Sequence, residues 1–166
     1  MLIIFLGKPG TGKTEISSRL QKIIGCSLIN VDGIEKKLKT VTGLGTVSEY
    51  KYPVSMIVSE ILIDKGETVI VDGNFRLKKT RDAFIQLAKK RKKEVFLFYC
   101  TCSAETAEKR IALKHDISPG YYKKDLSFED KEKKEDRMDS EYIVLDTMLN
   151  PDKIVKKVTE ILGIQC

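Results

Sequence analysis

The chain has 166 residues, of which 42% are hydrophobic and 33% charged, a balance that fits one globular α/β domain with a core of ordinary size. Its formal net charge of +6 favours anionic ligands, although the basic residues are interspersed with acidic ones. No apolar run is long enough to cross a bilayer, and four cysteines without a C-x-x-C pair, beside one histidine, argue against a zinc site.

The first predicted strand is Leu2 to Leu6. Its unbroken apolar character suits a parallel strand buried on both faces. It is too short for a signal peptide and lacks a basic leader, so the expected compartment is the cytoplasm, with reduced thiols. Gly7-Lys8-Pro9-Gly10-Thr11-Gly12-Lys13-Thr14 follows, and a helix is predicted from Gly12 or Lys13 to a stop at Gly25, with Ile16, Leu20, Ile23 and Ile24 on one face. A second strand, Ser27 to Val31, is ended by Asp32-Gly33, and a short amphipathic helix runs from Ile34 to Lys39. Thr40 to Pro53 reads as an irregular connection. A third helix spans Val54 to Asp64, where Val54, Ile57, Val58, Ile61 and Leu62 make an apolar stripe.

The third strand, Thr68 to Val71, ends at Asp72-Gly73-Asn74. A helix over Lys78 to Arg91 turns Phe84, Leu87 and Ala88 inward, and Val95 to Cys100 forms the fourth strand. Ser103 caps a helix that runs to about Lys114, and Pro119-Gly120 breaks the chain. Ser127 to Asp130 has the pattern of a capped helix start. The fifth strand, Tyr142 to Leu145, ends at Asp146. The last helix starts at Asn150-Pro151-Asp152 and ends at Gly163. Strands alternating with helices predict a parallel sheet with helices on both faces, and ligands then bind beyond the carboxyl ends of the strands.

The loop between the first strand and first helix has the spacing G-x-x-x-x-G-K-T, the phosphate-binding P-loop, in the strand–turn–helix context that the motif requires. Its amides and the positive end of the helix form a cup for phosphate oxygens. Lys13 is placed to reach the β- and γ-phosphates and Thr14 to ligate Mg²⁺. Asp72 closes an apolar strand, as a Walker-B carboxylate does, although Asp-Gly is also ordinary turn chemistry. Asp32 stands after the second strand, where it serves either as a base that orients an acceptor hydroxyl or as an N-cap before Ile34. Arg76, Arg81, Arg110 and Lys114 are the cations available to a transferring phosphoryl group; Arg110 and Lys114 share one helix face and precede the Pro-Gly break, where a lid is expected. The basic run Lys89 to Lys93 reads as a solvated helix end rather than a nucleic-acid patch.

The loop form G-x-P-G-x-G-K-T resembles that of the adenylate-kinase-like P-loop kinases. Val71-Asp72-Gly73-Asn74-Phe75-Arg76, with Arg81, is similar to the D-x-N-(x)-R region of the subgroup that includes polynucleotide kinase, zeta toxin and chloramphenicol phosphotransferase. Ala107 to Arg110 resembles its lid-proximal arginine segment, and Leu145-Asp146-Thr147 the segment near its adenine pocket. The resemblance implies a three-layer P-loop fold with a five-stranded parallel sheet and a small lid at about 115–127. It also implies an ATP- and Mg²⁺-dependent phosphotransferase, GTP being the other nucleotide to consider. Asp32 is carried over as base, Arg110 and Lys114 as lid cations, Asp146 and Thr147 as the nucleotide side. Polynucleotide kinases place an arginine three residues beyond the base, whereas Glu35 stands here. The expected acceptor is therefore a hydroxyl of a small molecule or nucleoside, ahead of a nucleic acid end or a nucleoside monophosphate. An ATP-binding switch or slow ATPase is the rival from another class. Guanine-specific switches carry an N-K-x-D motif, which this chain lacks. Oligomeric state is left open by the sequence.

Overall fold

The computed structural model describes residues 1–115 and 141–164, without the side chains of residues 114 and 115. The strands are β1 (Leu2–Leu6), β2 (Ser27–Asn30), β3 (Val69–Asp72), β4 (Val95–Thr101) and β5 (Ile143–Asp146). The helices are α1 (Lys13–Ile24), α2 (Val31–Thr42), α3 (Lys51–Asp64), α4 (Lys78–Lys90), α5 (Ala104–His115) and α6 (Pro151–Ile161). The five strands are all parallel, in the order β2-β3-β1-β4-β5. The three-layer α/β expectation holds.

Alternation along the strands builds two cores, one on each face of the sheet. Leu2, Ile4 and Leu6 of β1 point with Val69 and Val71 toward Ile63 of α3 and Phe84, Leu87 and Ala88 of α4. Ile3 and Phe5 point with Ile70, Phe98 and Cys100 toward Ile16 and Leu20 of α1 and Ile154, Val155 and Val158 of α6. Every residue of β1 is buried, which is what a central strand covered on both sides requires. The chain builds the β2–β3 side first and then crosses to β4 and β5, so β1 lies at the reversal of strand order. The crevice at that point, beyond the carboxyl end of β1, holds the P-loop.

The largest departure from the sequence reading is at α2. The helix begins at Val31 and runs to Thr42, longer at both ends than the expected Ile34 to Lys39. Asp32 is therefore a first-turn residue of the helix and neither ends β2 nor caps α2; Asn30 is the cap, its side chain accepting from the Gly33 N–H at 2.6 Å. The connection shrinks to residues 43–50, because α3 begins at Lys51 and carries Pro53 in its first turn, where proline is tolerated. The apolar stripe proposed for α3 is helical and lies at the edge of its buried face: Val58 and Leu62 pack on the core, Ile57 and Ile61 are exposed, and Ser55, Ser59 and Ile63 are the buried residues. The serines go inside because each hydroxyl is satisfied four residues back, Ser55 on the Lys51 carbonyl at 2.6 Å and Ser59 on the Ser55 carbonyl at 2.8 Å. The Pro-Gly break, the helix start at Ser127 and the lid beyond residue 115 fall outside the described residues. Among the described residues no helix is long and apolar enough to cross a membrane.

Candidate active site

The P-loop wraps the carboxyl end of β1 through Gly7, Gly10 and Gly12, all at positive φ. At Gly10 (φ +78°) glycine is demanded twice over: the conformation disfavours side chains, and a Cβ would lie 2.5 Å from the Ala107 carbonyl oxygen of α5. α1 has no side-chain cap at Gly12, so its first amides face the cup. Lys13 is only 8% exposed, and its Nζ donates to the Lys8 carbonyl at 2.7 Å, across the loop.

Next to this cup the Thr14 hydroxyl donates to Asp72 Oδ2 at 2.6 Å, and Asn30 Nδ2 donates to the same oxygen at 2.8 Å. Asp72 is 2% exposed, and burial raises its pKa against the opposing pull of Thr14, the Lys13 charge and Asn30; nearby Asp32 adds to the rise. One cavity of about 230 Å³ is lined by Lys13, Thr14 and Asp72, by Asp32 and Asn74, and by Arg110. The cavity also takes in Pro9, Gly10, Gly12, Glu15 and Ile111.

Arg110 reaches the cavity from α5 and is anchored: Nη1 donates to Thr147 Oγ1 at 3.1 Å and Nη2 to the Thr147 carbonyl at 2.8 Å. Thr147 is itself buried, its hydroxyl proton shared between the Thr11 carbonyl at 2.8 Å and the Thr101 carbonyl at 3.0 Å. It ties the end of β5 to the P-loop, to β4 and to α5. Asp146 is exposed and accepts from the Met148 N–H at 2.9 Å, closing the turn after β5. Lys114 lies in the last turn of α5, and its side chain falls outside the described residues.

On the opposite side Asp32 accepts from Lys51 Nζ at 3.1 Å, and Lys51 also bridges to Glu35 at 2.8 Å. Lys39 pairs with Glu35 at 3.0 Å. These two bonds hold the Glu35 carboxyl below its ordinary range. Burial opposes the Lys51 charge, but its bonds to Glu35 and Asp32 outweigh that and leave its pKa raised. The anion at position 35, taken from sequence as hostile to a phosphate-bearing acceptor, is thus matched by two lysines.

Arg81 does not reach the cavity. It is 1% exposed, and its Nη1 holds the carbonyls of Phe75 at 2.8 Å and Arg76 at 2.9 Å. Phe75 has φ +47°, outside the region bulky residues favour, and is held there from three sides: by Arg81, by the Tyr52 hydroxyl accepting its N–H at 2.8 Å, and by the Phe84 ring. Arg81 Nε and Nη2 are buried with no hydrogen-bond partner. The arginine is a clamp on the β3–α4 connection, not a cation offered to a phosphoryl group.

Sequence reasoning missed Asn30 and Lys51. Asn30 had a usable signal, a cap-type residue before an apolar-periodic run, hidden by β-branched Val31 reading as strand. Lys51 had none, because its meeting with Asp32 depends on how α2 packs on α3.

With this arrangement established, comparison with known proteins is informative. A family model described as an AAA domain, AAA_33, matches residues 2–125. The chain belongs to that family. A search of curated proteins finds no match. Among solved structures, a proposed kinase from Chloroflexus aurantiacus superposes with a TM-score of 0.73 at 20% identity, covering 98% of this chain and 95% of that one. The APS kinase CysC of Mycobacterium tuberculosis, in complex with AMPPNP and APS, gives a TM-score of 0.70 at 17% identity, with 98% and 96% covered. A gluconokinase from Sinorhizobium meliloti gives 0.65 at 17% identity, with 97% and 94% covered. The fold of this chain is that of the P-loop kinases.

Proposed function

We propose that this protein is a kinase that moves the γ-phosphoryl of ATP, with Mg²⁺, onto a hydroxyl of a small molecule or nucleoside. The observation that carries the reading is the shared cavity: Asp32, on the acceptor side, opens onto the same space as Lys13, Thr14 and Asp72. The donor set suits the groups invoked. The positive end of α1, which begins at Gly12 with no side-chain cap, matches an anion, and a hydroxyl beside one carboxylate matches a hard, oxygen-loving cation that keeps several waters and phosphate oxygens as its other ligands. Bound Mg²⁺ would neutralise charge on the β- and γ-phosphates.

In this reading Gly7 to Thr14 hold the triphosphate, ATP in the first place and GTP as the alternative. Lys13 leaves the Lys8 carbonyl for phosphate oxygens. Thr14 and Asp72 hold the metal, and Asp146 and Thr147 border the nucleotide. Asp32 accepts a hydrogen bond from the acceptor hydroxyl and takes its proton late in transfer, orientation being its main contribution because the transition state is loose. Arg110, with Lys114 beyond it, stabilises charge on the transferring group. The chain acts as a single domain. The cluster of Asp32, Glu35, Lys39 and Lys51 carries no net charge, which supports an uncharged hydroxyl acceptor over a nucleic acid. The structurally similar gluconokinase and APS kinase support the reaction class. The cytoplasm is the compartment where ATP and reduced thiols occur together.

The test is transfer of radiolabelled phosphoryl from ATP to panels of nucleosides, sugars, aminoglycosides and 5′-hydroxyl oligonucleotides. Label is expected in one class of small hydroxyl compounds. Lys13→Ala abolishes it, and Asp32→Asn lowers it about 10²-fold or more while ATP affinity stays near wild type. Turnover of ATP that no hydroxyl compound changes would replace the kinase with a nucleotide switch or slow ATPase.

A further inference from the structure

Asn30 stands at the junction of β2 and α2 and uses both ends of its carboxamide. Its Oδ1 accepts from the Gly33 N–H at 2.6 Å, and its Nδ2 donates to Asp72 Oδ2 at 2.8 Å. The partners fix the orientation of the amide, since an N–H only donates and a carboxylate only accepts. Asp72 Oδ2 also takes the Thr14 hydroxyl at 2.6 Å, so one oxygen joins β3, α1 and the β2–α2 junction. Asp32 lies in the helical turn that this cap closes. Serine, threonine or aspartate would cap α2 equally well. None of them also places an amide donor on Asp72, so capping alone does not account for asparagine.

We propose that Asn30 is a positioning residue that fixes the distance between the metal-side carboxylate, Asp72, and the acceptor-side carboxylate, Asp32. One rigid planar group spans the two: its amide end orients the carboxylate, and its carbonyl end orients the first turn of α2. Outer partners of this kind typically change metal affinity or activity by 10- to 100-fold when removed. The consequence for catalysis rests on the kinase reading; the link between α2 and Asp72 does not.

Two variants separate the two ends. Asn30→Ser keeps an oxygen for the cap and is too short to reach Asp72, whereas Asn30→Ala loses both bonds. Hydrogen exchange at the Gly33 amide, referred to amides within α6, reads the cap. Calorimetry of ATP binding across a Mg²⁺ titration reads Asp72. In Asn30→Ser the Gly33 amide is expected to stay protected, while the Mg²⁺ concentration for half-maximal binding rises about tenfold. In Asn30→Ala the same rise is expected, with Gly33 protection lost as well. In transfer assays Asn30→Ser lowers kcat with little change in acceptor KM, and Asn30→Ala also raises acceptor KM. A wild-type Mg²⁺ midpoint in Asn30→Ser overturns the proposal, and so does identical behaviour of the two variants in both physical readouts. If wild-type protein binds ATP with Mg²⁺ yet phosphorylates no hydroxyl compound, the kinase reading fails, and the exchange and calorimetry still decide the role of Asn30.

Discussion

Replacing Thr147 with valine removes one hydroxyl and keeps volume and β-branching, so its effect isolates hydrogen bonding at a buried hub. In the wild type that hydroxyl serves the Thr11 carbonyl at 2.8 Å and the Thr101 carbonyl at 3.0 Å, and accepts from Arg110 Nη1 at 3.1 Å. Two of these partners have reserves: the Thr101 carbonyl still takes the Thr147 N–H at 2.9 Å, and Arg110 still reaches the Thr147 carbonyl at 2.8 Å. The P-loop carbonyl of Thr11 is left without this donor. An orphaned buried acceptor costs about 1–3 kcal/mol, and the lost Arg110 bond adds about 1 kcal/mol at most. A total of about 1–4 kcal/mol corresponds to a melting temperature lower by roughly 2–16 °C in a domain of this size. Thr147→Ser, which keeps the hydroxyl, should lose well under half of that. Differential scanning fluorimetry and urea unfolding measure the stability, and calorimetry measures a several-fold fall in ATP affinity as the loop loosens. A valine variant that melts within about 1 °C of wild type, or a serine variant as damaged as valine, would refute the reasoning.

Gly10→Ala combines an unfavourable φ of +78° with a Cβ 2.5 Å from the Ala107 carbonyl oxygen. It should cost about 2–4 kcal/mol in urea unfolding and cut ATP affinity more than tenfold; a near-neutral result would mean that α5 moves away freely. Asp72→Asn removes a buried charge while leaving an oxygen for Thr14 and Asn30, so the free protein is expected to melt a few degrees higher in fluorimetry, with Mg²⁺ no longer strengthening ATP binding. A lower melting temperature would show that the carboxylate is needed for folding. The α2–α3 link should show in the pH profile of urea unfolding. Glu35 has a depressed pKa, so its contribution is present above the ordinary value of 4.5 and lost as pH falls through the folded value. Lys51 has a raised pKa, so its contribution is present below 10.5 and lost as pH rises through the folded value. Lys51→Met should flatten both limbs, and profiles parallel to wild type at both ends would remove the link.

The nucleotide side was legible because it is built from local sequence. Strand, glycine turn and helix lie within one short stretch, and the cup is shaped by the backbone, so spacing alone locates it. Asp72 was equally readable as the end of an apolar run. The acceptor side was read less well for a physical reason: its geometry depends on where α2 starts. Val31 has strand propensity, yet Asn30 caps the chain into a helix there, a tertiary and capping decision that overrides the propensity of one residue. The face of α3 is only partly legible, Val58 and Leu62 but not Ile57 and Ile61 packing inward, because serine counts as polar in a periodicity pattern, while in a helix its hydroxyl can fold onto the backbone and be buried at little cost. Arg81 shows the converse. A cation in a motif region looked available for catalysis, and its burial against the Phe75 and Arg76 carbonyls is a matter of packing that no spacing rule reports.

The two sides of the cavity are also held by different forces, and this bears on how such a site changes. Around the phosphates the structure is buried and backbone-bonded: Lys13, Thr11, Asp72 and Thr147 are all nearly inaccessible, and Thr147 locks three strand or loop ends together. Phosphate oxygens gain most from donors that need no reorganisation, so rigidity there serves binding directly. Across the cavity the Asp32 side chain is 63% exposed, and α2 is steadied on α3 by ion pairs to Lys51: water screens the one to Asp32, while the one to Glu35 joins two largely buried side chains. Substitutions among Glu35, Lys39 and Lys51 perturb side-chain ion pairs on α2 and α3 and leave the bonds within the P-loop in place. On the proposed function, one fold can keep its phosphate-binding loop while the residues of the opposite wall are exchanged. The gluconokinase and the APS kinase that superpose on this chain share its fold at 17% identity. The difference between the two sides also singles out the Asn30 carboxamide, which bonds both Asp72 and the first turn of α2, as the position where one substitution would act on both sides of the cavity.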